Sequence, residues 1–457
     1  MFSRIYQFFN NVFVREDGRE HAYAPVPNYG GSSQEREIIP PKDNYRIVYL
    51  IFLLQGVTML LGWNVFITAS VFFHESFRDS VYENNFQNYF SVVFMSSNLF
   101  FLGLALFTYK WENVSRRIII TIIFMVLQFL LIAISTQHVE FFGPTGYFYF
   151  VITLIGIAGA TTAFQQNGIF ALVSQFSPNY TLSVMIGQGL AGSAIAFFQI
   201  LSAFATPPST SSDSPTENDL SYSALLYFLC AFMITLLALI SFCILIRLPL
   251  YEHYRKQARN IEITYDTNSI KATFYKIRTL AFVVGFVFAV TLSVFPSITA
   301  SIKSTVKDEN KSKFHQDYLF IPLHFLIFNL GDYGGRFLPS LQFFNITDSV
   351  KLARMSIARI IFLPIFLMCN VDVSGMRILP LMINNDIVYF LILWLFAVSG
   401  GYLGTLTMMT APQVEGVAKD LAGTIMSFCL VLGLVFGSIF SFPMLAISCG
   451  CNPIENN

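Results

Sequence analysis

Long apolar runs, separated by short polar breaks, set the pattern of this chain. A bilayer core about 30 Å thick is spanned by about 20 apolar residues in a helix. The runs at 47–72, 86–109, 118–136, 147–173, 182–206, 222–246, 279–300, 318–341, 355–369, 386–409 and 421–448 predict eleven such helices. The ninth is short and is expected to extend at both ends. The first 45 residues are polar, with Pro25, Pro27, Pro40 and Pro41, and no signal-peptide pattern precedes the first run. They predict a flexible cytoplasmic tail. Residues 209–218 read as a Ser/Thr/Asp/Pro-rich loop, and Arg247 to Arg278 is the longest charged stretch between runs. The expected organisation is a tail at 1–45, an N-terminal bundle of six segments at 46–246 and a cytoplasmic loop at 247–278. A C-terminal bundle of five segments at 279–448 and an extracellular tail at 449–457 complete it. The fold class is an all-α polytopic membrane protein.

Composition narrows the function classes. Of 457 residues, 54% are hydrophobic and 12% charged, about half the charged share of a soluble domain. Lys plus Arg and Asp plus Glu both number 27, which excludes nucleic-acid binding through a basic field and the high net charge of disorder. Six cysteines carry no CxxC pair. Cys230, Cys243, Cys369 and Cys429 read as small buried hydrophobes, while Cys449 and Cys451 without a nearby His signal no metal site.

With the N-terminus placed in the cytoplasm, the inner segments hold 19 Lys and Arg and the outer ones 6, while Arg336 and Arg359 fall within runs. That bias orients the chain N-terminus inside and, after eleven spans, C-terminus outside. Of four Asn-x-Ser/Thr triplets, at Asn113, Asn179, Asn310 and Asn345, only Asn310 then lies outside, so it is the candidate glycosylation site.

An internal repeat recurs at a shift of 231 residues. Ile67-Thr68-Ala69-Ser70 returns as Ile298-Thr299-Ala300-Ser301, Asn98-Leu99 as Asn329-Leu330, and Leu190-Ala191-Gly192 as Leu421-Ala422-Gly423. Six spans separate the copies, so both keep one orientation. This is the parallel repeat of major-facilitator transporters, in which substrate binds near the midplane between the halves.

Polar groups inside apolar helices are functional hypotheses by default. In the eighth run, Asp332 and Arg336 are spaced i,i+4 and share a face, with Asn329 one turn earlier. They read as a polar stripe lining a cavity; the alternative is a buried pair that fixes packing, or an Arg bonding lipid phosphate. Trp63 and Asn64 in the first run offer a stacking face and an amide, although Trp63 also suits an interfacial belt. Gln165, Gln166 and Asn167 point about 100° apart in succession and cannot share one cavity. One of them faces substrate while the others bond neighbouring helices, or all three serve packing. His324 reads as a packing residue, and Arg359 needs a partner or a route to the inner face. The glycines of the fifth and eleventh runs predict close helix crossings. No GxxxxGK[ST] loop and no HExxH occur, and the only carboxylate deep in a run is Asp332. These absences argue against ATP-driven transport and against an enzyme.

Along residues 41–448 the chain resembles the equilibrative nucleoside transporters, the solute carrier 29 type. The likeness rests on Pro41-Lys42-Asp43 before Arg46 to Phe52, and on Leu60-Leu61-Gly62-Trp63-Asn64-Val65-Phe66-Ile67-Thr68-Ala69, where the usual pattern has Pro in place of Gly62. It continues in Gly187-Gln188-Gly189-Leu190-Ala191-Gly192, in Phe328-Asn329, Asp332 and Gly335-Arg336, and in Arg359, Pro364, Phe366 and Cys369. Gly401-Tyr402, Met408-Met409, Ala411-Pro412, Ala422-Gly423 and Met426 complete it.

The resemblance implies an eleven-helix, major-facilitator-like fold with a 6+5 arrangement of two pseudo-symmetric bundles. It implies downhill exchange of nucleosides such as adenosine and uridine, with nucleobases as further cargo, by a uniporter without a cofactor. Carried over by motif, Trp63 and Asn64 shape the central cavity, Gln166 bonds the base, and Asn329, Asp332 and Arg336 form its polar side. Gln can donate and accept to purine or pyrimidine, so these residues do not separate the two. Two alternatives remain: a proton-coupled transporter of another small polar solute, and a nucleoside-binding membrane receptor that moves nothing. The lipid bilayer is the expected surround, with neither nucleic acid nor an obligate protein partner. The plasma membrane is the expected location. Glu35-Arg36-Glu37-Ile38-Ile39, near an acidic dileucine signal, keeps the lysosome or endosome as the alternative.

Overall fold

The computed structural model describes residues 40–83, 86–108, 114–205, 217–260, 267–306, 312–372 and 379–450. From Pro41 onward the chain forms one compact helical unit. Its helices are α1 (Ile47–Thr68), α2 (Ser70–Ser76), α3 (Phe86–Phe107), α4 (Val114–Ser135), α5 (Val139–Val173), α6 (Pro178–Ala205) and α7 (Glu217–Leu245). They continue as α8 (Pro249–Asn260), α9 (Thr267–Val294), α10 (Asp317–Phe337), α11 (Ser349–Ala358), α12 (Phe362–Leu367), α13 (Asp386–Thr410) and α14 (Lys419–Cys449). Among the described residues nine helices are long and apolar enough to cross a membrane. The chain is an all-helical, multi-pass membrane protein.

The nine leave out two predicted segments, for physical reasons. The eighth is helical as α10, but His324, Asn329, Asp332 and Arg336 dilute its apolar run. The ninth is broken: α11 ends at Ala358, Arg359–Ile361 tightens into a 3-10 turn, and α12 carries Pro364, which cannot donate to the ladder. The stretch read as a loop at 247–278 also differs. It contains α8, whose Leu250 and Tyr251 are buried while Arg255 and Lys256 face outward, and α9 begins at Thr267, well before its apolar run. Asn310 and residues 1–39 lie outside the described residues.

Glycines set the tight crossings. A Cβ at Gly56 of α1 would sit 2.1 Å from the Val184 carbonyl oxygen of α6, and one at Gly187 would sit 2.0 Å from that of Leu53. Gly433 and Gly437 press α14 on α9 at Gly285 and Ala289, and Gly335 and Gly401 bring α10 and α13 together. In helices surrounded by lipid, such backbone approach replaces the hydrophobic drive for association.

The packing pattern repeats six segments on. α1 lies on α6 as α9 lies on α14, and α3 on α5 as α10 on α13. Across the seam, α6 meets α10 and α13, while α14 meets α3 and α5. Both copies of the Ile-Thr-Ala-Ser repeat sit where helix geometry changes. The first spans the break between α1 and α2 at Ala69, and the second the 3-10 turn at Thr299–Ser301.

Candidate functional site

The seam between α6 and α10 holds the clearest polar cluster. Arg336 Nε donates to Asp332 Oδ2 at 2.6 Å, so the i,i+4 spacing does produce an ion pair. The same guanidinium crosses the seam, where Nη1 donates to the Met185 carbonyl at 3.1 Å and to Gln188 Oε1 at 3.0 Å. Gln188 Nε2 in turn reaches the Met59 sulfur of α1 at 3.4 Å. The two members of the pair differ in access: the Arg336 side chain is 7% exposed and that of Asp332 18%. The carboxylate therefore remains the more reachable partner.

Asn329 takes a separate place. Its amide nitrogen donates back to the Phe325 carbonyl at 2.8 Å, and Ser193 Oγ of α6 donates to its backbone carbonyl at 3.0 Å. A Cβ at Gly192 would lie 2.3 Å from Asn329 Oδ1, so this glycine lets the asparagine into the seam. Asn329 thus lines the same junction one turn from the ion pair, with no hydrogen bond to it among the described residues.

The run of three amides on α5 divides by direction. Gln165 is fully buried and donates to Thr58 Oγ1 of α1 at 2.8 Å. Asn167 accepts from Arg117 of α4 at 2.5 Å. Gln166 lies between them, nearly buried, and its amide nitrogen has no hydrogen-bond partner among the described residues. Leaving a buried donor unpaired costs about 1–3 kcal/mol, so this amide is chemically fitted to an incoming acceptor. Trp63 and Asn64 are half-buried on α1, with the indole 5.0 Å from the Phe94 ring of α3.

His324 is fully buried with its ring 4.2 Å from Phe325 and 6.0 Å from Phe295, an aromatic packing position. Arg359 does not snorkel. It donates to the carbonyls of Val287 and Phe396 and to the hydroxyls of Thr291 and Ser399, with its guanidinium 4.7 Å over the Phe396 ring. Gln188, Met185 and Arg117 belong to these networks but were missed as site residues. The available signal for Gln188 was an amide flanked by two glycines inside an apolar run. No cluster of metal-ligating side chains occurs among the described residues.

A multi-pass helical bundle whose packing pattern repeats between its halves, with a polar seam between them, has the architecture of a membrane transporter. Solved structures place it within the major-facilitator fold. A proton:xylose symporter of that superfamily aligns with a TM-score of 0.60 at 12% identity, covering 88% of this chain and 90% of that one. A bacterial homologue of the iron transporter ferroportin, in an outward-facing state, aligns at 0.54 and 12% identity, covering 88% and 93%. The family model described as nucleoside transporter matches residues 151–269 and 259–446. Equilibrative nucleoside transporter 1 of Homo sapiens is 30% identical over 470 residues, covering 89% of this chain and 98% of that protein. Equilibrative nucleoside transporter 2 of Homo sapiens is 28% identical over 474 residues with the same coverage. Equilibrative nucleotide transporter 1 of Arabidopsis thaliana is 24% identical, covering 93% and 91%. The chain belongs to the nucleoside transporter family.

Proposed function

We propose that this protein carries nucleosides down their gradients across the plasma membrane by alternating access, with nucleobases as further cargo. The observation that supports this reading most directly is the nearly buried Gln166 amide nitrogen, without a hydrogen-bond partner among the described residues, in a chain that matches nucleoside transporters over 89% of its length. Gln166 bonds the base, Trp63 and Asn64 shape the cavity that receives it, and Asn329, Asp332 and Arg336 supply its polar side. A nucleoside is neutral, has a flat base and is rich in hydrogen-bonding groups. An aromatic face, amides and one internally balanced ion pair suit it. The same balance disfavours nucleotides.

The proposed architecture has eleven crossings, six and five, with the N-terminus cytoplasmic and the C-terminus extracellular. α10 and the broken elements α11–α12 supply the eighth and ninth crossings. Transport is uniport: Asp332, deep in the bundle, is engaged by Arg336, and no obligatory proton step is needed.

The test is flux of labelled uridine and adenosine into proteoliposomes holding the purified chain. Equal final concentrations inside and outside are expected, with and without an imposed pH gradient. Accumulation driven by the pH gradient alone overturns uniport. Saturable binding with no flux overturns transport in favour of a receptor. Inhibition of uridine flux by hypoxanthine, together with flux of hypoxanthine itself, tests the nucleobase arm.

A further inference from the structure

Away from the α6–α10 seam, α4, α8 and Ile246 border an open pocket of about 270 Å³. Two arginines border it: Arg116 in the first turn of α4 and Arg255 on α8. Both are exposed, and neither has an ion pair among the described residues. Lys256, the neighbouring cation on α8, is by contrast paired with Glu252 at 3.1 Å. The inner wall is made by Ser115 and Tyr251, whose hydroxyls hydrogen-bond to each other and hold α8 against α4. The rest is apolar, from Ile119 and Ile120 of α4 and Ile246 just after α7.

That apolar wall does not stop at the cavity. Ile120, Ile123, Phe124, Leu127, Leu131 and Ile134 continue along α4 as a stripe, each between 39% and 55% exposed. Their spacing follows one helix face. α7, which packs on α4, exposes Leu237, Ile240 and Ile244 beside it. A ligand for the whole feature must be amphiphilic, with an anionic head for the two exposed guanidiniums and a hydrocarbon chain for the stripe. Guanidiniums bind phosphate through paired N–H donors, and amphipathic helices such as α8 lie at the headgroup level.

We infer that Arg116, Arg255 and the Ile119–Ile120–Ile246 wall form a binding site for an anionic glycerophospholipid of the leaflet on the Lys/Arg-rich side. The phosphate sits between the two arginines and one acyl chain follows α4. A free phosphate or other soluble anion satisfies only the mouth, and the apolar wall favours the lipid. Such a lipid bridges α4 and α8, adding a non-covalent tie beside the Ser115–Tyr251 hydrogen bond.

The experiment is a lipid titration of the purified full-length chain in detergent, read by native mass spectrometry with phosphatidylserine and phosphatidylcholine as probes. Phosphatidylserine should be retained in preference, and the double variant Arg116→Gln with Arg255→Gln should weaken it about tenfold without changing phosphatidylcholine. Lys256→Gln, whose cation is already paired, should leave retention unchanged. Arg116→Lys with Arg255→Lys keeps both charges and should retain most of the preference, which separates lost binding from lost folding. Wild-type retention by the double Gln variant overturns the site. Full displacement of phosphatidylserine by millimolar inorganic phosphate overturns the lipid assignment and leaves a soluble-anion site.

Discussion

Changing Asp332 to Ala leaves the Arg336 guanidinium, 7% exposed, with only neutral acceptors from α6. Removing one member of a buried pair typically costs about 3–5 kcal/mol, so surface abundance should fall along with flux. Asp332→Asn keeps shape and hydrogen bonding. If the carboxylate meets substrate, this variant should reach the membrane normally while its half-saturation constant rises or its flux drops. Full transport by the charge-swapped Asp332→Arg with Arg336→Asp would move both residues from binding to scaffold. Gln166→Leu is the complementary test, because it removes an amide nitrogen without a hydrogen-bond partner among the described residues. One neutral hydrogen bond contributes about 0.5–1.5 kcal/mol, so the half-saturation constant for uridine should rise by up to about tenfold with little change in thermal stability. Gln165→Leu should instead lower the melting temperature, since it severs the bond to Thr58. The Asp332–Arg336 pair was legible because both members sit on one helix at a spacing that geometry fixes. The Arg336–Gln188 bond was not, because its partners lie 148 residues apart and meet only when α6 docks on α10. The division of labour within Gln165, Gln166 and Asn167 was half legible: angular spacing showed that they diverge, but not which neighbour each would find.

At the scale of elements, runs of about 20 apolar residues announced most helices directly, because a segment in lipid must satisfy its own backbone. What the pattern hid were elements whose stability comes from particular neighbours. α8 is short and charged, and it is helical where Leu250 is buried, Tyr251 hydrogen-bonds to Ser115 of α4 and the Tyr254 ring lies 4.5 Å from that of Phe176. The broken ninth segment likewise depends on Arg359 finding four acceptors on α9 and α13. Glycine spacing foretold close crossings on α6 and α14, and the structure adds the partners. Gly56 is the sharpest case, because any Cβ there meets the Val184 backbone at 2.1 Å, which no side-chain rotation relieves. Gly56→Ala should force α1 and α6 apart and cost about 1–3 kcal/mol by overpacking. A lowered melting temperature of the purified protein checks this. Gly334→Ala, which meets nothing within 4 Å, is the matched control and should melt as the wild type does.

For the whole molecule, the contacts between α1–α7 and α9–α14 fall in a revealing place. Arg336 with Met185 and Gln188 joins the start of α6 to the end of α10, Asn329 with Gly192 and Ser193 joins the middles of the same two helices, and Gly423 with Phe170 and Ser174 joins the end of α5 to the start of α14. Under the proposed eleven-crossing topology all four helix ends lie toward the cytoplasmic face, and on that reading these contacts close that side. Alternating access then requires these contacts to break and re-form in each cycle. The repeat foreshadowed this arrangement, because Gly192 and Gly423 are its corresponding residues and each stands at a seam between the halves. A Cβ at Gly423 would lie 2.2 Å from Ser174 Oγ and 2.3 Å from the Phe170 carbonyl oxygen. Gly423→Val should therefore hold the inner face apart, while Ser174→Ala removes only one of the two obstacles. The valine variant should reach the membrane and bind nucleoside from the inner side, yet carry little flux in either direction. Accessibility of a cysteine introduced at Gly189, on the seam against Tyr333 and Arg336, supplies the second readout. In a cysteine-depleted background it should react with an impermeant thiol reagent from the cytoplasmic side faster when Gly423→Val is present. Unchanged reactivity together with normal flux would mean that closure of this face does not run through Gly423.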